Sequence, residues 1–173
     1  MADFEPCWAF TENEEGDYSD TLGDSGGPTK WGITLGTLRD WLHRYITAAD
    51  VKALTPATAK EIARARYWDH IKGDALPAGV DLVVFDFAYN AGWSRSARFL
   101  QRCVGTIEDG QIGPKTLAGV GKFTAGALID QLTKLHEVYY EVVADAVPSD
   151  QQFLKGWEGR AGRAAQRGLE LTR

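Results

Sequence analysis

The chain has 173 residues and a mass of 19.0 kDa, which suits one packed domain, or a main lobe with a smaller appendage. Its formal net charge of −5 argues against nucleic acid as the main partner, and a hydrophobic fraction of 44% with six tryptophans is ample for a packed core. The charge is unevenly placed, because the first 30 residues hold eight acids and one lysine, whereas the tail is rich in arginine.

The first predicted element is a helix that ends in a cluster of acids. Phe4 and Trp8 have the i, i+4 spacing of a helix face, so the acids at 12–15 close a short N-terminal helix. Gly16 is a natural stop, because glycine tolerates the left-handed conformation in which many helices end. Glu15 is therefore expected at the point where the helix gives way to a loop.

The segment 18–34 is rich in glycine and hydroxyl side chains, which predicts turns and short strands. We expect a small β-hairpin here, with Gly26-Gly27 at a bend. Asp24 lies in this segment, nine residues after Glu15. A helix end that faces such a hairpin leaves a cleft with one carboxylate on each wall.

The rest of the chain is predicted to be helical. An amphipathic helix over 35–46 is started by Thr34 or Thr37, and Thr55 caps a later helix with Pro56 in its first turn. The run 80–90 is apolar almost throughout, which predicts the central buried helix. Two further helices, over 95–104 and 123–143, flank a loop over 107–116. The apolar face of the helix over 35–46 is formed by Leu38, Trp41, Leu42 and Tyr45.

A last helix is predicted to start near Ser149 or Asp150. Its apolar residues Phe153, Leu154 and Trp157 are expected to be buried, which leaves its arginines on the outside. This basic face either sits on an anionic wall or lipid surface or is simply solvated.

No metal or cofactor is expected. The three histidines, His43, His70 and His136, lack the spacing of a zinc site, and the acidic segment lacks the pattern of a calcium-binding loop.

An ordered set of motifs resembles glycoside hydrolase family 108. EGDY at 15–18, then Asp24, Gly26-Gly27, Thr29 and Gly32-Ile33-Thr34, is similar to the family's E-G-G-Y motif followed by D-x-G-G-x-T-x-x-G-I-T. Downstream, FDFAYNAG, LQRCVG, DGQIGPKT and FLKGWEGR resemble the predicted peptidoglycan-binding portion of the family. Asp17 replaces the second glycine of E-G-G-Y, and its charge is expected to raise the pKa of Glu15 by repulsion.

The resemblance implies a mainly α, lysozyme-like helical bundle with a small β-hairpin beside the catalytic helix. Residues 1–173 would form one lysozyme-like domain, in which 1–84 is the catalytic segment and 85–173 the helical, predicted peptidoglycan-binding portion.

The chemistry of glycosidic cleavage assigns a role to each motif residue. Glu15 is the candidate general acid, preferred over Glu14 because it precedes the glycine. Asp24 either activates water as a base, stabilises the oxocarbenium ion, or is a structural loop aspartate. Thr29, or less readily Thr34, could hold the water, unless it only stabilises the hairpin.

Three further residues are candidates for substrate binding. Tyr18 and Trp31 offer faces for stacking on sugars, or they pack the loop. Asn90 either caps its helix or binds an N-acetyl group or the water.

The predicted function is that of an N-acetylmuramidase, which hydrolyses the β-1,4 bond between N-acetylmuramic acid and N-acetylglucosamine in a phage endolysin or a secretion-associated enzyme. The alternatives are a lytic transglycosylase, a chitinase or chitosanase, and a non-catalytic peptidoglycan-binding protein. No secretory signal or membrane span is found, so we expect a monomer made in the cytoplasm, which acts in the periplasm or wall after delivery by a partner such as a holin.

Overall fold

A computed structural model describes residues 2–20 and 27–173. The expected mainly α, lysozyme-like bundle with a small hairpin is confirmed. None of the helices in these two ranges is long and apolar enough to cross a membrane. The helices are α1 (Phe4–Glu15), α2 (Leu35–Leu42), α3 (Ala48–Lys52), α4 (Pro56–Ala63), α5 (Val80–Ala91), α6 (Trp93–Cys103), α7 (Pro114–Val120), α8 (Ala125–Ala146) and α9 (Gln151–Leu171).

Two short strands, β1 (Thr29–Lys30) and β2 (Ile33–Thr34), form an antiparallel pair. Thr29 faces Thr34 and Lys30 faces Ile33, so the described hairpin turns at Trp31-Gly32. The bend expected at Gly26-Gly27 lies partly outside the described residues. A π-helical turn (Arg64–Trp68) continues α4, and 3-10 turns occur at Gly73–Ala75 and Pro148–Asp150.

Helix α5 is the centre of the molecule, as its apolar run predicts. Every residue from Val80 to Tyr89 is buried, and the helix contacts α1, α6, α8 and α9. Asp81 is one of its two buried acids. It accepts hydrogen bonds from the backbone N–H of Gly79 at 2.7 Å and of Leu82 at 2.8 Å, which satisfies donors at the helix start. Its other oxygen accepts the N–H of Asp3 at 3.2 Å and thereby ties α1 to α5.

Two predictions about helix faces are wrong. Helix α2 ends at Leu42, because His43 adopts a left-handed φ of 51°, and Tyr45 is 83% exposed rather than part of an apolar face. On α9, Phe153 is 50% exposed, while Arg160, which the sequence put outside, is only 8% exposed. The reason is that α9 lies on α5, where the buried acid Asp86 needs a positive partner.

Candidate active site

Glu15 is the last residue of α1, just before Gly16 with its φ of 71°. Its side chain is 17% exposed and lies against the hairpin turn, α5 and α9. The helix end therefore faces the hairpin, as the glycine-stop argument predicts.

The hairpin turn is shaped to receive this carboxylate. Trp31 and Gly32 have φ values of 48° and 72°, and positive φ at both central residues is what a type I′ turn requires. A Cβ atom on Gly32 would lie 2.7 Å from Glu15 Oε2 and 2.6 Å from Tyr89 Cε1, so only glycine fits. The Tyr89 hydroxyl donates to the Trp31 carbonyl at 2.7 Å and fixes the turn to α5.

A buried arginine holds the other oxygen of Glu15. Arg160 Nη1 lies 2.7 Å from Glu15 Oε1, while Nη2 and Nε donate to Asp86 at 2.8 and 3.0 Å. Thr11 of α1 also donates to Asp86, at 2.9 Å. One guanidinium thus serves two carboxylates, and α1, α5 and α9 meet at this network, which we call the Arg160 cluster (Thr11, Glu15, Asp86 and Arg160).

Sequence reasoning missed Asp86 and Arg160. The available signal was a lone acid, Asp86, in the middle of an apolar run. Because a buried carboxylate without a positive partner is costly, this acid indicates that an arginine or lysine lies beside it. The pattern could not say which of the arginines supplies that partner.

Burial raises the pKa of Glu15, even though Arg160 acts in the opposite direction. The negative charges of Asp86 and Glu14 add to the increase. Asp17, which the sequence suggested as a repelling charge, is not among the main causes; it is exposed and accepts the N–H of Tyr18 at 2.8 Å.

Glu14, the competitor for the acid role, has a different environment. Both of its oxygens accept from Arg163, at 2.7 and 2.6 Å. These hydrogen bonds lower the pKa of Glu14, so it stays ionised. A carboxylate that stays ionised cannot donate a proton, and the geometry favours Glu15.

Thr29 and Thr34 both take part in hairpin structure. The backbone of Thr29 forms two hydrogen bonds of 2.9 Å with Ser19 in addition to its pairing with Thr34. Thr34 is the N-cap of α2, and its hydroxyl accepts the N–H of Thr37 at 3.1 Å. Asp24 lies outside the described residues, and the roles of all three remain predictions.

The aromatic candidates are half-buried beside the hairpin. Tyr18 donates to Asp20 at 3.1 Å and lies 5.7 Å below the ammonium of Lys52. The ring of Trp31 is covered by the ammonium of Lys30 at 4.5 Å. Their roles in sugar stacking remain predictions.

Asn90 lies one turn beyond Asp86 on α5 and is exposed. Its amide oxygen accepts the hydroxyl of Tyr140 at 3.2 Å. The helix continues through Ala91 and is capped by Gly92, so Asn90 is not the C-cap. Its role toward substrate remains a prediction.

Known proteins agree with this picture. Residues 8–92 match the family model described as Glycosyl hydrolase 108, and residues 95–162 match the model described as Predicted Peptidoglycan domain. A solved structure, described as the structure of Brucella abortus SagA, is similar with 39% sequence identity and a TM-score of 0.89. The alignment covers 98% of this chain and 95% of that chain. No curated protein sequence matches. The chain therefore belongs to the glycosyl hydrolase 108 family and is a peptidoglycan hydrolase.

Proposed function

We propose that this glycoside hydrolase is an N-acetylmuramidase with Glu15 as its general acid. The observation that carries the proposal is the state of Glu15, a nearly buried carboxyl whose pKa is raised and whose Oε2 faces the hairpin turn. An acid with a raised pKa retains a proton at a higher pH, as protonation of a glycosidic oxygen requires.

The Arg160 cluster suits Glu15 both before the proton transfer, when the carboxyl is protonated, and after it, when the carboxyl is an anion. Before transfer, burial and the charge of Asp86 favour the protonated form of Glu15. As the glycosidic C–O bond breaks, the proton of Glu15 passes to the leaving oxygen and the carboxyl becomes an anion. Arg160, whose Nη1 lies 2.7 Å from Oε1, then compensates the new negative charge without having to move.

The remaining roles follow from the motif order. Asp24 is the proposed base toward water or stabiliser of the oxocarbenium ion, with Thr29 holding the water. Tyr18, Trp31, Thr34 and Asn90 are the proposed contacts to the sugars. Because peptidoglycan lies outside the cytoplasm, we propose action in the periplasm or wall after delivery by a partner such as a holin, in a phage endolysin or a secretion-associated enzyme.

Digestion of purified peptidoglycan, with masses of the released fragments, tests the proposal. A muramidase leaves a reducing-end muramic acid, whereas a lytic transglycosylase leaves the 1,6-anhydro form, which is lighter by one water. A chitinase or chitosanase would also cut chitin or chitosan oligomers. Anhydro products throughout, or products with N-acetylglucosamine at the reducing end, would contradict the proposal.

Two variants then assign the residues. Glu15→Gln should keep the fold and lose hydrolysis, and a protein that only binds the wall would show no lysis with or without the change. Asp24→Asn should also lose hydrolysis if Asp24 acts on water. Full activity of Asp24→Asn would make this residue part of the loop scaffold only.

A further inference from the structure

A groove on the surface of α6 is not used by the proposed mechanism. It consists of two adjoining cavities of about 560 and 360 Å³, and Trp93 lines both of them. We call it the α6 groove. The larger cavity is bounded by Arg95, Arg98 and Arg102, and the smaller by Asp69, His70 and Lys72.

The larger cavity of the groove is positively charged in a protein whose net charge is −5, whereas in the smaller cavity Asp69 offsets Lys72. The larger cavity holds three arginines and one acid, Glu108. Arg102 is neutralised by a two-pronged pair with Glu108 at 2.9 and 2.8 Å. Arg95 lies 4.7 Å from the ring centroid of Tyr139 and carries no carboxylate partner in the described ranges.

Arg98 is the cation with spare hydrogen-bonding capacity. It is exposed and, within residues 2–20 and 27–173, forms no ion pair of 4.0 Å or less. Hydrogen bonds from Arg102 and Gln101 are the main reason that the pKa values of Glu108 and Asp109 are lowered, and the charge of Arg98 makes a smaller contribution in the same direction. A Cβ atom on Gly110 would lie 3.2 Å from Arg98 Nε, so the backbone at Gly110 lies close to the guanidinium of Arg98.

Trp93 gives the groove a rigid, partly apolar wall. The ring of His70 stacks on it with centroids 4.6 Å apart and planes 15° apart. This stack joins α6 to the segment after the π-helical turn, and an amphipathic ligand could contact the indole while its charged end reaches an arginine.

Two short chain segments connect residues of the active site to residues of the groove. Tyr89 contacts Gly32 beside Glu15 and precedes Trp93 by about one helical turn. The ring centroids of Tyr67 and Tyr89 are 4.6 Å apart, and Tyr67 precedes His70 by three residues. Burial raises the pKa of Tyr67, and the nearby charge of Glu15 raises it further.

We propose that the α6 groove binds the free carboxylates of peptidoglycan stem peptides, with Arg98 as the main contact. The inference rests on the proposed function, in which the glycan strand lies at Glu15. The sugars carry no free carboxylate once the lactyl group is amidated by the peptide, whereas a stem peptide that is not cross-linked through its C-terminus ends in one. An unpaired guanidinium beside an indole is suited to such a group, and not to a neutral sugar hydroxyl.

Binding is tested in the Glu15→Gln background, so that the ligand is not consumed. The probes are soluble glycan fragments of the same length. One carries its tetrapeptide stems; from the other an amidase has removed the stems, and the lactyl carboxylates that this frees have been converted to methyl amides, so that it carries no carboxylate. Arg98→Gln should weaken binding of the peptide-bearing fragment about tenfold, the loss of one charge-assisted hydrogen bond, and should leave the bare fragment within about twofold. Arg98→Lys should restore part of the affinity.

Arg167→Gln is the matched control, because it removes the same charge from an exposed arginine, on α9. It should leave both affinities unchanged. Equal weakening of both fragments by Arg98→Gln, no weakening of either, or an equal effect of Arg167→Gln would overturn the proposal. Hydrolysis by the unmodified protein is read separately, so failure to cut the peptide-bearing fragment counts against the muramidase and not against the groove.

Discussion

Two neighbouring glutamates of α1 pair with two arginines three residues apart on α9, and the pairs differ in every electrostatic respect. Among the described residues Glu14 is the one carboxylate paired with Arg163, through two hydrogen bonds; the arginine side chain is 56% exposed, although that of Glu14 is only 11% exposed. Glu15 shares Arg160 with Asp86 in the interior, where the arginine is 10% exposed. The pKa of Glu14 is lowered, chiefly by its hydrogen bonds to Arg163, and the pKa of Glu15 is raised, chiefly by burial.

The difference shows that having an arginine partner does not decide the protonation state of a carboxyl. Desolvation penalises the charged form of Glu15, and the attraction of Arg160 is divided between two acids. The same residue types one position apart are therefore a surface ion pair in one case and a candidate proton donor in the other.

The largest expected effect separates the two glutamates by activity. Glu15→Gln should lower kcat/KM on peptidoglycan by about 10³-fold or more, because general acid catalysis contributes roughly 10² to 10⁴. Glu14→Gln, the matched control, should stay within about threefold, since Glu14 is an ionised partner of the exposed Arg163 and not a proton donor. Comparable losses in the two variants would show that the contrast in environment has no catalytic meaning.

The second effect separates the two arginines by stability. Arg160→Met should lower the free energy of unfolding by about 3 to 5 kcal/mol, because it leaves Asp86 buried without a positive partner. Arg163→Met should cost at most about 1 kcal/mol, as exposed ion pairs do. Urea unfolding at neutral pH measures both. If Arg160→Met does not fold, the Arg160→Lys variant gives a smaller loss of the same sign; equal stability of the 160 and 163 variants would contradict the comparison.

A third effect concerns the turn that confines Glu15. Gly32→Ala should lower kcat/KM by roughly 10- to 100-fold, because misplacing a catalytic group by about 1 Å can cost 10². Gly27→Ala is the control: its φ of 62° imposes similar backbone strain, but a Cβ there meets no atom of residues 2–20 and 27–173 within 4 Å. An equal loss in the two variants would mean that strain, and not contact with Glu15, is responsible.

His136 extends the comparison to a buried group without a charged partner. It is 3% exposed and stacks on Phe87 at 3.8 Å, and its Nε2 has no hydrogen-bond partner in the described part of the chain. Burial lowers the pKa of His136 to about 3. The unfolded chain, with a pKa near 6.5, takes up a proton first as the pH falls, so stability is lost between about pH 6.5 and 3.

His136→Leu removes this penalty. Between pH 7.5 and 5, the free energy of unfolding of the unmodified protein should fall by about 2 kcal/mol relative to His136→Leu, as the linkage relation gives for this pKa difference. Urea unfolding at the two pH values measures the change. Parallel pH profiles for the two proteins would mean that the fold does not lower the pKa of His136.

The sequence predicted those elements whose signals are local. Gly16 ended α1, Thr34 and Thr55 capped α2 and α4, and the apolar run of α5 marked its burial. The sequence did not predict burial where it depends on contact with a helix that is distant along the chain. Phe153 and Arg160 are both on α9, and only the position of Asp86 on a helix 74 residues earlier decides which of them is buried.

The candidate site, too, was predictable only in the part that belongs to one short segment of chain. A motif order identified Glu15 and put a hairpin beside it, because both belong to one short segment of chain. The Arg160 cluster could not be predicted, since it joins three helices that are distant in sequence. The sequence likewise pointed to Asp17, two residues away, as a charge acting on Glu15, whereas the acids that act are Asp86, which is distant in sequence, and the adjacent Glu14.

The smallest predicted effect tests that last point through the pH profile. Asp86→Asn keeps an acceptor for Thr11 but removes the charge that repels Glu15 and competes for Arg160. The pKa of Glu15 should then fall. Because the acid must be protonated to act, activity is lost as the pH rises through this pKa, so the alkaline limb of kcat/KM should move to lower pH by roughly half to one unit. Asp17→Asn, which removes an exposed charge two residues from Glu15, should leave the limb in place. A shift with Asp17→Asn and none with Asp86→Asn would return the electrostatic control of Glu15 to its sequence neighbour, and would leave the Arg160 cluster as a structural tie between α1, α5 and α9.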